Sequence, residues 1–432
     1  MFSLVSILGL VHHVKANGLE RNGVGARSMS LGGASVADDG DSLGAMAYNP
    51  GMLGFFGKRE AIVGLTGVFA EGDYRSQAGD KGHLRNTQAM IPDIALILPV
   101  SERATLGFSM IPDASRLANW RYVDPVGAAG VGYGLMKHRS EILNVRGAAA
   151  IGVRLTDTLS LGASVGAVYN ENHLNAPYIF QSHPALKGAK TLLDLGTTGW
   201  GLDAQMGLAW KVNDKVTVGL SYHSPSSFNT DGAAHGDVTA QLAALGVPSP
   251  DGRFRYHADV DTELPQKISA AISIKPAKQW RLSGQVEWVN WADAYDDLTV
   301  SLSRGDNATV NGILGSDVLV DTIPLDWKNR FVFRLGAEYD VSETISLRAG
   351  YSYGKSPVPS STVLPLTAAI SEHSVSAGVG WHKGPWTVDL AWQYDLPASQ
   401  NAGADGIAGT EYDFSHVELS AHWISVTAGY RF

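Results

Sequence analysis

The chain has 432 residues, no Cys, only 17% charged side chains and a net charge of −9. The acidic balance argues against nucleic acid as a partner, and the missing thiols exclude disulfides and thiolate metal sites. No apolar run reaches the ~18 residues that read as a membrane-crossing helix, which leaves strands as the way this chain would cross a bilayer.

At the N-terminus, Met1 to Val11 is a short apolar stretch that leads to Val14-Lys15-Ala16, a small-residue cleavage pattern. This reads as a signal peptide over 1–16, although the basic residues that usually open one are missing. Residues 17–57 are rich in Gly, Ala, Ser and Asp, carry no strand period, and form a unit of their own. After Lys58 apolar and polar residues alternate, as strand side chains pointing to opposite faces require. The fifth strand has Leu159, Leu161, Ala163, Val165, Ala167 and Tyr169 on one face, with Ser160, Gly162, Ser164 and Gly166 on the other. The sixth sets Trp200, Leu202, Ala204, Met206, Leu208 and Trp210 against Gly201, Asp203, Gln205 and Gly207. The eleventh (345–353) and thirteenth (386–394) repeat the pattern. The last has Ile424, Val426, Ala428, Tyr430 and Phe432 outward.

Tight turns are read at 101–103, 156–158, 213–215, 276–278, 342–344 and 383–385. Long polar loops are read near 73–87, 114–139, 171–199, 225–253, 304–325, 357–370 and 398–412. These turns and loops join fourteen strands, and an even count brings both barrel ends to one side. Aromatic residues gather at the ends of the outward rows, where headgroups would lie. The inward faces carry Arg146, Asp203, Arg281, Glu287, Arg334, Glu338, Arg348 and Asp389, charges that suit a water-filled lumen. The reading is all-β, a 14-stranded antiparallel transmembrane β-barrel over 58–432. A soluble sandwich or propeller fits less well, because the strands exceed the usual ~5–6 residues and no blade repeat is visible.

Three pieces of the N-terminal unit carry a family resemblance: Gly23-Val24-Gly25-Ala26-Arg27-Ser28, Leu31 through Asp39, and Tyr48-Asn49-Pro50-Gly51-Met52-Leu53. With Trp288-Val289-Asn290-Trp291, Asp326 through Phe331, Leu347-Arg348-Ala349-Gly350-Tyr351 and Ser356-Pro357-Val358 in order behind them, the chain resembles the outer-membrane long-chain fatty acid transporters (FadL-type). The resemblance implies that 17–57 is a hatch plugging the lumen. It implies a hydrophobic ligand caught by the outer loops, passed to an inner pocket, and released sideways near a kinked third strand.

The same resemblance assigns candidate residues. Leu19 would stand where the family's N-terminal end enters the pocket with an aromatic. Asn49, Pro50 and Gly51 match the hatch motif, with Gly51 in place of alanine. Pro112 interrupts the third strand, either opening the wall or simply ending the strand. Arg146, Lys328, Arg334 and Arg348 are candidates for a carboxylate head, set against their pairing with lumen acids. The acidic residues often found before Ser-Pro-Val are replaced by Gly354 and Lys355.

Gly40-Asp41-Ser42-Leu43 and Asp413-Phe414-Ser415-His416 spell a hydrolase-like pair of blocks. No apolar strand precedes Gly40, and the helices of an α/β hydrolase are missing. The two Gly-x-Ser-x-Gly matches, Gly162–Gly166 and Gly350–Gly354, sit inside alternating strands. Asp405, Glu411 and Asp413 in the last loop are candidates for a divalent cation or lipopolysaccharide, with a solvated loop as the simpler reading. The expectation is a non-enzymatic importer of fatty acids or related hydrophobic compounds in a Gram-negative outer membrane, without cofactor or metal. Its other partners would be membrane lipid, lipopolysaccharide and the barrel-assembly machinery. The alternatives are an importer of alkane or aromatic hydrocarbons, and a general porin or adhesin-like barrel.

Overall fold

A computed structural model of the chain describes residues 19–85, 88–112, 114–127, 130–184, 186–247, 251–404 and 411–432. The segment read as a signal peptide lies outside them. From Glu60 on, fourteen antiparallel strands close into a barrel. They are β1 (Glu60–Arg75), β2 (Lys81–Leu84 and Gln88–Pro99), β3 (Ala104–Pro112 and Arg116–Asp124), β4 (Gly134–Arg154), β5 (Leu159–Ile179) and β6 (Lys190–Asn213). Then come β7 (Val216–His223 and Ser226–Asp237), β8 (Arg253–Leu264 and Lys267–Ala277), β9 (Trp280–Val289 and Asp297–Ser303) and β10 (Leu319–Pro324 and Arg330–Asp340). The last four are β11 (Ile345–Gly354), β12 (His373–Lys383), β13 (Trp386–Asn401) and β14 (His416–Arg431). Each strand pairs with its neighbours in sequence. β1 closes on β14 in one ladder from Glu60↔Arg431 to Arg75↔His416. All the tight turns lie at the Glu60–Arg431 end.

The outward faces explain why the barrel lives in lipid. On β6, Leu202 and Met206 are exposed between Trp200 and Trp210. The ten residue steps from Trp200 to Trp210, at ~3.3 Å each and a tilt of ~40°, span roughly 25 Å, the height of a barrel's apolar band. Aromatic pairs mark both edges. Trp280–Tyr339 (4.8 Å between centroids) and Trp386–Tyr430 (4.6 Å) lie at the turn end, and Tyr169–Trp200 (5.3 Å) at the loop end.

The strands then run on past this band. Much of what reads as loop in 114–139, 171–199, 225–253 and 304–325 is strand, including Arg116–Asp124 and Ser226–Asp237. The reason is a reversal of faces. Above the band Phe254, Tyr256, Ala258 and Val260 of β8 are buried inward, while Arg253, Arg255 and Asp261 are exposed. On β6 Leu193 and Leu195 are buried against an exposed Asp194. Outside the membrane the outer face meets water and the inner face encloses an apolar space, so the alternation continues with its sense inverted.

Residues 19–59 pack on the inward faces of the barrel. They form helices α1 (Gly25–Ser30) and α2 (Ser42–Tyr48) and a 3₁₀ segment, Pro50–Phe55. Asp41 caps α2, its Oδ1 accepting from the Gly44 N–H at 2.8 Å. Asn49 caps the next turn, with Pro50 at the first helical position, where its missing N–H is harmless. The inward charges do not face open water, because this segment fills the space between them. Arg27 reaches Asp38 (2.8 Å) and Glu338 (2.6 Å), Arg281 reaches Asp38 (2.7 Å), and Arg348 bridges Glu338 and Asp389 (2.6 Å). Hatch and barrel thus share one buried ionic network, and removing one partner of such a pair typically costs about 3–5 kcal/mol.

Candidate ligand-binding site

Above the hatch, in the loop-side half of the barrel, lies an apolar cavity of about 210 Å³. Leu195, Phe254, Leu302, Ile323 and Trp327 are among its walls, and Leu19, fully buried, contributes from the hatch. Trp327 stacks on Tyr295 at 4.6 Å and meets Trp291 edge-on at 5.1 Å. Arg116 is the lone Arg or Lys on the described lining. It is 91% buried (9% exposed). Among the described residues its side chain has no hydrogen bond or ion pair. A buried guanidinium with no ion pair among the described residues can receive an anionic oxygen.

Close to Leu19 in the chain, the hatch also meets a break in the wall. β2 and β3 pair from Pro99↔Thr105 to Ile94↔Met110, and again at Leu84↔Trp120 and His83↔Arg121. Among the described residues between these stretches, the Arg85 N–H to the Asn119 carbonyl (2.6 Å) is the last bond of the outer stretch, and no ladder pairing joins the two strands beyond it. Pro92 and Pro112 flank the break, and each removes a backbone donor. Each strand keeps its other neighbour, with Pro92 opposite Leu65 of β1 and Pro112 opposite Val145 of β4. Arg21 lies across the gap. Its guanidinium donates to both carboxylate oxygens of Asp93 (2.7 and 2.9 Å) on one side and to the Pro112 carbonyl (3.2 Å) on the other.

The Asn49-Pro50-Gly51 turn sits on glycines of three strands. Asn49 Nδ2 donates to the Val36 carbonyl (2.7 Å) and the Leu208 carbonyl (3.0 Å), and its Oδ1 accepts from the Gly51 N–H (3.0 Å). A Cβ at Gly162 would run into Pro50, one at Gly207 into Asn49, and one at Gly219 into the Val36 carbonyl. A Cβ at Gly51 would stand 2.7 Å from the Gly207 carbonyl, which accounts for glycine at a position where alanine is the family habit. Nearby, burial and the neighbouring Asp38 push the Asp41 carboxyl up to about 7, and its Oδ2 has no partner.

Nearly the whole chain matches one family model. Residues 12–432 match the model of the outer membrane protein transport family (OMPP1/FadL/TodX). The chain belongs to this family. It is 21% identical to outer membrane protein P1 of Haemophilus influenzae over 92% of this chain and 86% of that one. It is 28% identical to a putative outer membrane protein of Neisseria meningitidis, over 38% of this chain and only 35% of the relative. In three dimensions it resembles the Pseudomonas putida toluene transporter TodX, with a TM-score of 0.76 at 17% identity over 95% of this chain and 99% of that one. It is an outer-membrane protein of a family of hydrophobic-compound transporters.

Within this FadL/TodX-type barrel the residues singled out in the sequence fall into distinct places. Leu19 borders the cavity, and Asn49, Pro50 and Gly51 form the hatch seat. Pro112 edges the wall break. The four candidate cations do not border the cavity. Arg146 is taken by Asp203 (2.7 Å), Arg334 by Glu287 (2.8 Å) and Arg348 by Glu338 and Asp389. The Lys328 side chain is exposed, and its backbone N–H donates to the Pro357 carbonyl (2.9 Å).

Ser42 hydrogen-bonds Glu60 at 2.7 Å, while His416 lies at the other end of the β1–β14 ladder beside Asn401. That pair therefore never meets. Gly350 of the second Gly-x-Ser-x-Gly match packs against Gly32 and Leu31 of the hatch. Asp405 lies outside the described residues. The Glu411 side chain is buried 3.9 Å from Lys190, and no grouping of metal-binding side chains occurs among the described residues. Sequence reasoning missed Arg21, Asp93 and Arg116. A proline in each of two adjacent strands, Pro92 and Pro112, was the one signal that pointed toward them.

Proposed function

We propose that this barrel imports hydrophobic compounds bearing an acidic head, of which long-chain fatty acids are the type, by passive diffusion and without chemical change. The observation that carries the reading is Arg116, a buried guanidinium without a partner among the described residues, on a mostly apolar cavity. The tail would gain roughly 0.8 kcal/mol per buried CH₂, and the head would gain a charge-assisted hydrogen bond. The break between β2 and β3 offers a sideways exit into lipid, which a tail prefers over the aqueous periplasm. The polar outer faces of the extended strands suit contact with lipopolysaccharide, and the outward aromatic residues of β14 suit recognition by the assembly machinery.

A second reading is import of neutral aromatic hydrocarbons, supported by the likeness to a toluene transporter and by the apolar lining. One experiment separates them. Oleate and toluene are titrated into purified protein and into Arg116→Leu, with fluorescence of the cavity's Trp327 as readout. The acid reading expects oleate affinity to fall about 10- to 100-fold in the variant, matching a charged hydrogen bond of ~1.5–3 kcal/mol, with toluene unchanged. Equal oleate binding by both proteins would remove Arg116 from the site, and toluene binding without oleate binding would favour the second reading.

A further inference from the structure

The barrel wall is broken a second time, six strands round from the first. β8 and β9 pair from Ala277↔Trp280 to Lys267↔Val289, then again from Val260↔Val300 to His257↔Ser303. Between these stretches lie residues 261–266 of β8 and 290–299 of β9, where the Asn290 N–H still reaches the Gln266 carbonyl at 3.1 Å. The β9 side is the longer, and it takes up the excess as a turn of helix, Trp291–Ala294, with Trp291 fully buried against Trp327 and Tyr295. A strand that coils inward cannot hydrogen-bond its neighbour, so the wall opens there.

This opening meets the cavity. Asp261, Thr262 and Glu263 on one edge, and Ala294, Tyr295 and Leu298 on the other, all border it. The Thr262 hydroxyl is buried there without a hydrogen-bond partner among the described residues. The level of the break is also set. Below it the outward residues Ile268, Ile272 and Leu282 are exposed to lipid, and above it the outward residues of β8 are Arg255, His257 and Asp259. The break therefore lies at the outer boundary between lipid and water. Its edges carry Asp261, Glu263, Asp293, Asp296 and Asp297, and neither segment contains a Lys or Arg. Asp261 accepts from Asn229 (2.8 Å) and Glu263 from Ser227 (2.7 Å), which turns both carboxylates aside along β7.

We propose that the β8–β9 break is a side entrance, admitting uncharged hydrophobic molecules from the outer leaflet boundary directly into the cavity. A hydrophobic solute is enriched in the membrane over water by about fourfold per CH₂, from ~0.8 kcal/mol each. An opening at that level meets a far higher local concentration than loops in water do. The acidic edges repel anions, so the route favours neutral molecules. The inference rests on the transporter reading above.

Because the chain has no Cys of its own, the entrance can be stapled in the full-length protein. Glu263→Cys with Asp297→Cys places one thiol on each edge, and Thr262→Trp fills the opening from within as an independent variant. Toluene uptake into proteoliposomes is measured for wild type, for the oxidised and reduced double variant, and for Thr262→Trp. The expected result is at least fivefold slower uptake in the oxidised form and in Thr262→Trp, with recovery when the disulfide is reduced. Wild-type rates in both blocked forms would overturn the entrance and leave the transporter reading standing. A wild-type protein that speeds uptake of neither toluene nor oleate would instead overturn the transporter reading itself.

Discussion

Asn49 uses both ends of its carboxamide on backbone, donating to the Val36 and Leu208 carbonyls and accepting from the Gly51 N–H. The three contacts tie a hatch loop, the wall strand β6 and the following turn to one side chain. Asn49→Ala would leave two carbonyls without that donor, at a cost of about 1–3 kcal/mol for each that stays buried and unpaired. That is enough to loosen the seat but not a barrel held by fourteen ladders. The variant should keep its heat-modifiable mobility on gels. Its hatch should become sensitive to added protease, and oleate uptake should fall severalfold. Loss of the heat-modifiable band would show that Asn49 serves barrel assembly instead.

At the scale of elements, the two breaks differ in what fills them. The β8–β9 break is edged by a helix of its own chain, whereas the β2–β3 break is crossed by Arg21 from the hatch. Arg21 and Asp93 are almost wholly buried, so removing only one would strand the other charge at a cost of several kcal/mol. The double change Arg21→Met with Asp93→Leu avoids that penalty and releases the crossing. It should speed release of fluorescent fatty acid from preloaded protein into lipid vesicles by about tenfold or more, while Arg21→Met alone should chiefly lower stability. Unchanged release from the double variant would mean the break is not the exit.

Legibility follows the same division. The alternation of β5, β6, β11 and β13 was readable because it is local and repeats every two residues. The breaks were not, because pairing between Ile94 and Met110 or between Lys267 and Val289 depends on a neighbouring strand. Arg116 was hidden for another reason. It follows Pro112, where β3 leaves the apolar band and the faces exchange character, so the stretch resembles a loop. The hatch was legible through the resemblance of its Asn49-Pro50-Gly51 motif, but its ion pairs with Glu338 and Asp93 were not.

At the scale of the whole molecule, residues 19–59 fill the inside of the barrel on its turn side. The inner wall beneath the hatch carries Arg281, Arg334, Glu338, Arg348 and Asp389, a lining that would hold water readily if uncovered. Deleting residues 19–57 while keeping a leader should therefore leave a barrel that conducts ions in planar bilayers. The intact protein should show no steady conductance. A deletion variant that stays electrically silent would mean the outer loops alone seal the barrel.

The seam between β1 and β14 has a consequence for how such a molecule can be made. Its ladder joins residues near the start of the described chain to the last ones, Glu60 to Arg431. No part of it can form until the whole chain has been delivered. The hatch, meanwhile, is gripped from many sides at once, by Ser374 of β12, Thr427 of β14 and Gln285 of β9 among others. Inserting it after the cylinder had shut would mean pulling a folded, ion-paired segment in through one end. The ordering that avoids this has residues 19–59 wait beside an open, curling sheet and be enclosed as its two edges meet. On that ordering assembly would be a wrapping reaction, in which the filling is packed before the cylinder is sealed.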